Sequence, residues 1–124
     1  MISEFLKKKV SSFKYSFAGL KELWVHESNT RIHLFFTVVV AVAALLLKVS
    51  AGEACVLFLT VGAVWAAEAM NSAVERVVDL VTQDKKPLAK AAKDLAAGSV
   101  LIFAIASVFV GLIIFLPKIF GLFG

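Results

Sequence analysis

The sequence predicts an all-α integral membrane protein with three transmembrane helices and an N-terminal amphipathic surface helix. Hydrophobic residues make up 60% of the 124 residues, and the mean hydropathy is +0.92. A soluble domain averages nearer half apolar, so the excess is typical of a surface covered by lipid. The net charge of +4 lies on a hydrophobic chain, which indicates a membrane partner and no nucleic acid. We expect a single membrane-embedded domain over residues 1–124.

Three apolar runs predict membrane spans at about residues 31–50, 54–80 and 92–117. The third run holds 22 residues without a charge, and a spanning helix needs about 20 apolar residues. The first two runs have charge-free cores of 14 residues each, so they reach spanning length only with their interfacial ends. Pro87 is expected to open the third helix or mark the turn before it, and Pro117 to close it.

A separate amphipathic helix is expected over about residues 4–26, ahead of the first span. Most of its lysines lie off the apolar face, so the helix is expected to lie in the membrane interface with its lysines near anionic lipid. The apolar face repeats at alternating spacings of four and three residues, through Leu6, Val10, Phe13, Phe17, Leu20 and Trp24.

The basic residues predict the orientation of the spans. Of the 13 lysines and arginines, all but Lys48 and Lys118 precede the first charge-free apolar run or lie between the second and third runs. The positive-inside rule makes that side cytoplasmic. We therefore expect a multi-pass protein with its N-terminus in the cytoplasm and its C-terminus outside.

The second span carries four polar side chains in a position where they are costly. Glu68, Asn71, Glu75 and Asp79 follow directly on an apolar run. On a helix that turns about 100° per residue, the last three lie at roughly −60°, −20° and +20° from Glu68, which makes one narrow stripe. Because each charge inside a bilayer costs several kcal/mol, the stripe indicates a functional site.

Further polar residues are expected at the same depth, because the cytoplasmic ends of all three spans meet there. They could bind a nucleotide and a metal ion. Mg²⁺ usually binds through one or two carboxylates plus substrate phosphates, and lysine neutralises a phosphate chain. The additional residues are Glu27 and Arg31 at the start of the first span and Lys93 and Asp94 at the start of the third.

Phosphoryl transfer from a soluble nucleotide to a membrane-borne alcohol fits this set. Glu27 and Glu75 could supply the metal carboxylates, and Lys93 could neutralise phosphate. Glu68 is nearest to the hydrocarbon and could act as the general base toward a lipid hydroxyl.

Simpler interpretations exist for the same residues. Acids at the end of a span can be solvated, and Asn71 can form a hydrogen bond that stabilises the packing of two helices. The alternative class is a non-catalytic small membrane protein, such as an assembly partner or a pore former. A pore would carry acids along its whole span, whereas here they cluster at one end. An enzyme is therefore favoured.

Two segments resemble the signatures of the small prokaryotic diacylglycerol kinase family. The run AEAMNSAVERVVD from Ala67 to Asp79 is similar to its pattern E-x-x-N-S/T-A-I/V-E-x-x-V/I-D, and Ala92 to Gly98 resembles its second signature. Trp24 to His33 is similar to the segment before its first span. The resemblance covers essentially the whole chain. It implies a three-span kinase that uses Mg-ATP and forms a homotrimer with shared active sites in the bacterial cytoplasmic membrane.

The resemblance also implies roles for individual residues. Glu68 would be the catalytic base, and Glu27 and Glu75 would hold Mg²⁺. Lys8 stands where the best-known member has arginine, and lysine cannot make the bidentate phosphate contact of arginine. The identities of residues 84–86, in the loop that covers the nucleotide, also depart from that member. The residues implied for ATP binding are Lys8, Tyr15, Glu27, Asn71, Glu75, Asp79, Asp84, Lys85, Lys86, Lys93 and Asp94.

The acceptor lipid is predicted from finer features. Residues 29–34, 75–80 and 87–90 resemble the Gram-positive branch of the family, whose members are similar to undecaprenol kinases. The Gram-negative branch prefers diacylglycerol and has an acid where this chain has His33, so His33 is either a specificity marker or an ordinary interfacial histidine. Undecaprenol is the favoured acceptor and diacylglycerol the alternative. The residues expected at the lipid are Glu68, Trp24, Arg31 and His33.

Overall fold

The protein is all-helical, as the sequence predicts. The structure, a computed structural model, describes residues 1–27 and 29–124, and Ser28 in the segment before the first predicted span lies outside the described residues. Three of the helices are long and apolar enough to cross a membrane, which confirms the number of spans. The helices are α1 (Ile2–His26), α2 (Asn29–Leu46), α3 (Ala51–Val81) and α4 (Pro87–Phe123).

Close contacts divide the chain into two compact units, Met1–Ile32 and His33–Gly124. In the first unit the apolar side chains of α1 are exposed, except for the buried Leu23. Thr30 is also buried and donates its hydroxyl hydrogen to the carbonyl oxygen of Leu23 at 2.8 Å. This bond ties the first turn of α2 to the last turn of α1. The single domain over residues 1–124 stays a prediction.

A tight turn separates α2 from α3. Lys48 has a φ of 52°, in the left-handed region. Ser50 then caps α3, because its hydroxyl accepts from the Glu53 amide at 3.1 Å and the Glu53 carboxylate accepts from the Ser50 amide at 2.9 Å. This reciprocal capping box starts α3 at Ala51, before the predicted start at residue 54. The first apolar helix correspondingly ends at Leu46 instead of residue 50.

The prediction that Pro117 closes the last helix is wrong. Pro87 does open α4, at its first helical position, but the helix continues through Pro117 to Phe123. Proline removes one backbone donor and strains the preceding turn. Neighbouring groups can satisfy the freed carbonyl, which is why prolines occur inside membrane helices.

Ion pairs between described residues join α3 to α4 at opposite ends of this antiparallel pair. Lys93 Nζ lies 2.6 Å from Asp79 Oδ1, and Lys118 Nζ lies 2.9 Å from Glu53 Oε1. The two pairs are separated by about 39 Å along α3 and about 38 Å along α4, at 1.5 Å per residue. Because the two separations match, the ion pairs fix the register of the two helices over most of their length.

The capping box predicts the effect of Ser50→Ala. The substitution removes the acceptor for the Glu53 amide, so the free energy of unfolding in detergent micelles should fall by about 1 kcal/mol. Ser16→Ala is the matched control, because the Ser16 hydroxyl bonds only to a carbonyl of its own helix. An equal loss in both variants, measured by denaturant titration, would contradict a specific role for the cap.

Candidate active site

The four residues of the α3 stripe become progressively more exposed along the helix. Glu68 is 3% exposed, Asn71 and Glu75 are half-buried, and the Asp79 side chain is 52% exposed. Counted from Ala51, Glu68 lies about 26 Å and Asp79 about 42 Å along α3. A hydrocarbon core is about 30 Å thick, so a span that begins at the first turn of α3 leaves Glu68 inside the core and Asp79 beyond it.

The buried carboxylate of Glu68 is partnered by a histidine from α2. His33 Nε2 lies 3.3 Å from Glu68 Oε2, and the two side chains are 20% and 4% exposed. A neutral imidazole with its proton on Nε2 donates a hydrogen bond to a carboxylate. The structure thus brings together two residues that the sequence places 35 positions apart.

A second polar contact joins the same two helices one turn away. Trp65 Nε1 donates to Thr37 Oγ1 at 2.9 Å, and Thr37 Oγ1 donates to the His33 carbonyl oxygen at 2.7 Å. The rings of His33 and Trp65 lie 6.1 Å apart between centroids, with their planes inclined at 56°. The sequence prediction missed Thr37 and Trp65. The available signal was their spacing, since each lies one helical turn from a predicted site residue.

Next to Glu68 toward the C-terminal end of α3, two buried polar atoms have no hydrogen-bond partner among the described residues. They are Asn71 Oδ1 and Ser72 Oγ. The Asn71 amide nitrogen donates to Glu75 Oε1 at a long 3.4 Å. The Asn71 side-chain oxygen and the neighbouring Glu75 carboxylate are both hard oxygen ligands, so this pair could bind a cation.

The exposed end of the stripe meets the beginning of α4. Asp79 is held by Lys93, as described above, and Asp94 accepts from Lys90 Nζ at 2.5 Å. The predicted loop residues Asp84, Lys85 and Lys86 are all exposed between α3 and α4. The loop is shaped by two bonds, from the Asp84 amide to Thr82 Oγ1 at 3.1 Å and from the Lys86 amide to the Asp84 carbonyl at 2.9 Å. The roles of the loop residues, Asp79 and Asp94 in nucleotide binding stay predictions.

The remaining predicted site residues belong to the first unit. Glu27 is half-buried at the C-terminal cap of α1, where its carbonyl accepts from the Thr30 amide at 3.4 Å. The others are exposed on α1 and at the start of α2: Lys8, Tyr15, Trp24 and Arg31. Within the described part of the chain, no three His, Cys, Asp or Glu side chains converge as a metal site built from protein alone. The Mg²⁺ ligands Glu27 and Glu75 therefore stay predictions.

Fold and site together define a small helical membrane protein with a polar, acid-lined site at one end of its long helices. Residues 14–115 match the family model for prokaryotic diacylglycerol kinase. The chain belongs to the prokaryotic diacylglycerol kinase family.

Curated relatives carry two different names. An undecaprenol kinase of Bacillus subtilis is 40% identical over 114 residues, which cover 92% of this chain and 93% of that protein. A diacylglycerol kinase of Synechocystis is 46% identical over 112 residues, covering 90% of this chain and 64% of that longer protein. The diacylglycerol kinase of Escherichia coli K12 is 34% identical over 94 residues, covering 76% of this chain and 77% of that protein.

The membership confirms the predicted enzyme class. The chain is a lipid kinase, and its three apolar helices make it a bacterial membrane protein. A kinase of this family implies ATP as the phosphoryl donor and a lipid as the acceptor.

Proposed function

We propose that this lipid kinase transfers the γ-phosphoryl group of Mg-ATP to undecaprenol, giving undecaprenyl phosphate and ADP. The observation that carries the proposal is the match to the Bacillus undecaprenol kinase, which extends over 92% of this chain and 93% of that protein. A match over nearly the full length of both proteins includes the segments before and after the first span, where an acceptor lipid would enter.

Glu68 is proposed as the general base. Its carboxylate is buried near the end of the apolar stretch, where a lipid hydroxyl can reach it without leaving the membrane. His33 contacts Oε2, which leaves Oε1 to accept the hydroxyl proton. As the proton moves to Oε1, the lipid oxygen bonds to the γ-phosphorus and the bond from phosphorus to the ADP oxygen breaks. Glu68 returns the proton to water before the next cycle.

The more exposed residues of the stripe are proposed to hold the nucleotide. Asn71 Oδ1, which has no hydrogen-bond partner among the described residues, and the neighbouring Glu75 carboxylate fit a Mg²⁺ ion that completes its shell with phosphate oxygens and water. Bound Mg²⁺ would neutralise charge on the transferring phosphoryl group. Glu27 is proposed as a further carboxylate ligand, and Lys93 as a phosphate contact released from Asp79 when nucleotide binds.

The remaining nucleotide and lipid contacts are proposed from the family resemblance. All of these side chains except the half-buried His33 are exposed, which supports their access to ligands. For the nucleotide they are Lys8, Tyr15, Asp79, Asp84, Lys85, Lys86 and Asp94; for the lipid they are Trp24, Arg31 and His33.

We also propose a homotrimer with its N-terminus in the cytoplasm. The asymmetric distribution of lysine and arginine supports that orientation. The buried Ser72 hydroxyl has no partner within the described residues of one chain, which supports a second copy of the chain as its neighbour.

Diacylglycerol is the alternative acceptor. The 46% identity to the Synechocystis diacylglycerol kinase favours it. Both lipids present a hydroxyl at the membrane surface, so the same base and nucleotide residues would serve either reaction.

The choice of acceptor predicts the outcome of a competition. Purified protein should be given labelled ATP and equal mole fractions of undecaprenol and diacylglycerol in mixed micelles. We expect undecaprenyl phosphate to exceed phosphatidic acid by at least about tenfold, which corresponds to about 1.4 kcal/mol of discrimination. A product mixture dominated by phosphatidic acid would establish the alternative acceptor.

The assignment of the base predicts that Glu68→Gln is inactive but still assembled in the membrane. The amide keeps the size of the side chain and cannot accept the lipid proton, so kcat should fall by about 10²- to 10⁴-fold. Glu22→Gln, on the exposed face of α1, is the matched control and should retain activity. Lipid phosphorylation by Glu68→Gln at the rate of the control would refute the base.

The metal assignment predicts that Glu75→Gln needs more Mg²⁺. Loss of a carboxylate ligand should raise the Mg²⁺ concentration for half-maximal activity by about tenfold or more. The measurement is a Mg²⁺ titration at fixed total ATP, with Glu22→Gln again as control. An unaltered Mg²⁺ dependence would count against Glu75 as a ligand.

A further inference from the structure

We propose that Thr37 and Trp65 are positioning residues for the lipid kinase reaction. We name the set of four residues to which they belong the α2–α3 clamp; its members are His33, Thr37, Trp65 and Glu68. The clamp holds the Glu68 carboxylate in the orientation that proton abstraction requires. The inference rests on the proposed role of Glu68 as the base. Neither Thr37 nor Trp65 is expected to touch a substrate.

The clamp consists of two hydrogen bonds between α2 and α3 and one hydrogen bond within α2. His33 reaches across from α2 to the Glu68 carboxylate at 3.3 Å, and Trp65 reaches back from α3 to the Thr37 hydroxyl at 2.9 Å. Thr37 links the two contacts on α2, because its hydroxyl donates to the carbonyl oxygen of His33 at 2.7 Å. The two cross-links lie one turn apart on each helix, so together they restrain both sliding and rotation of α2 against α3.

The direction of the hydrogen bonds is fixed by the chemistry of the groups. An indole nitrogen can only donate and a carbonyl oxygen can only accept, so the Thr37 hydroxyl must accept from Trp65 and donate to His33. A hydroxyl is the smallest side-chain group that can do both. Thr37 therefore cannot be replaced by an apolar residue of the same shape without breaking both bonds.

The clamp matters because the Glu68 contact is weak by itself. A distance of 3.3 Å is at the long end for a hydrogen bond. α3 packs extensively along α4, whereas α2 makes no comparably extensive contact with α3 among the described residues. The Trp65 ring against the His33 ring and the bond to Thr37 restrict the imidazole that a lone long bond would leave mobile.

A misplaced base is expected to slow the chemical step more than nucleotide binding. A displacement of about 1 Å at a reacting group can cost about 100-fold in rate. The nucleotide residues proposed above lie on and just after α1, on later turns of α3, in the loop between α3 and α4, and on α4. None of them belongs to the clamp. Damage to the clamp should therefore lower kcat and leave the KM for ATP unchanged.

Two nearly isosteric substitutions test the clamp. Thr37→Val removes the hydroxyl and Trp65→Phe removes the indole N–H while keeping an aromatic ring. Each should lower kcat by about 10- to 100-fold with an unchanged KM for ATP. The double variant should be little worse than either single variant, because both remove the same bond. Thr60→Val is the matched control, since the Thr60 hydroxyl donates to the Val56 carbonyl of its own helix and to no other described residue.

A second measurement detects the hydrogen bond between Trp65 and Thr37 without an activity assay. The chain has two tryptophans, so the indole N–H resonance of Trp65 is the one that disappears in Trp65→Phe. That resonance should shift in Thr37→Val but not in Thr60→Val. Thr37→Ser restores a hydroxyl and should recover both the resonance and most of kcat, which distinguishes a lost bond from a poorly folded variant.

The outcomes distinguish a wrong assignment of the clamp from a wrong assignment of Glu68 as the base. Thr37→Val with the kcat of Thr60→Val would overturn the clamp, and so would a shifted indole resonance with unchanged kcat, or a failure of Thr37→Ser to recover. Full activity of Glu68→Gln would instead refute the proposed base. A kcat loss confined to Thr37→Val and Trp65→Phe, recovered by Thr37→Ser, supports the clamp.

Discussion

The structure depends on keeping an ionisable carboxylate buried inside an apolar helix. A charged group taken out of water is stable only with a partner and hydrogen bonds. Glu68 has this partner in His33, which belongs to a different helix. That requirement places α2 against α3 at one defined level. The register of α3 against α4 is set separately, by the ion pairs of Asp79 with Lys93 and of Glu53 with Lys118.

The gradient of exposure along α3 suits a reaction between a soluble donor and a membrane-bound acceptor. Such a reaction needs one site that extends from water into hydrocarbon. α3 provides it within about three turns, from the buried Glu68 through the half-buried Asn71 and Glu75 to the exposed Asp79. A single continuous helix can carry this gradient because its length exceeds the hydrocarbon thickness. The membership in a lipid kinase family agrees with this division.

Hydropathy and charge predicted the spans, and helical spacing predicted the stripe on α3, because both are properties of one segment. Segment properties could not predict the helix ends: the Ser50 capping box starts α3 early, and α4 passes through Pro117. They also could not predict partners between helices. Thr37 and Trp65 look like ordinary span residues until the register of α2 against α3 is known, and the pairing of Lys93 with Asp79 likewise depends on the packing of α3 against α4.

In the proposed reaction the Glu68 carboxylate, held by His33, faces the hydroxyl of the acceptor lipid. The most direct measurement is an experimental structure of the protein with undecaprenol and a non-hydrolysable ATP analogue. We expect the lipid hydroxyl oxygen about 2.6–3.2 Å from Glu68 Oε1, with His33 still on Oε2. A bound hydroxyl that contacts another residue, with Glu68 paired only within the protein, would exclude Glu68 as the base.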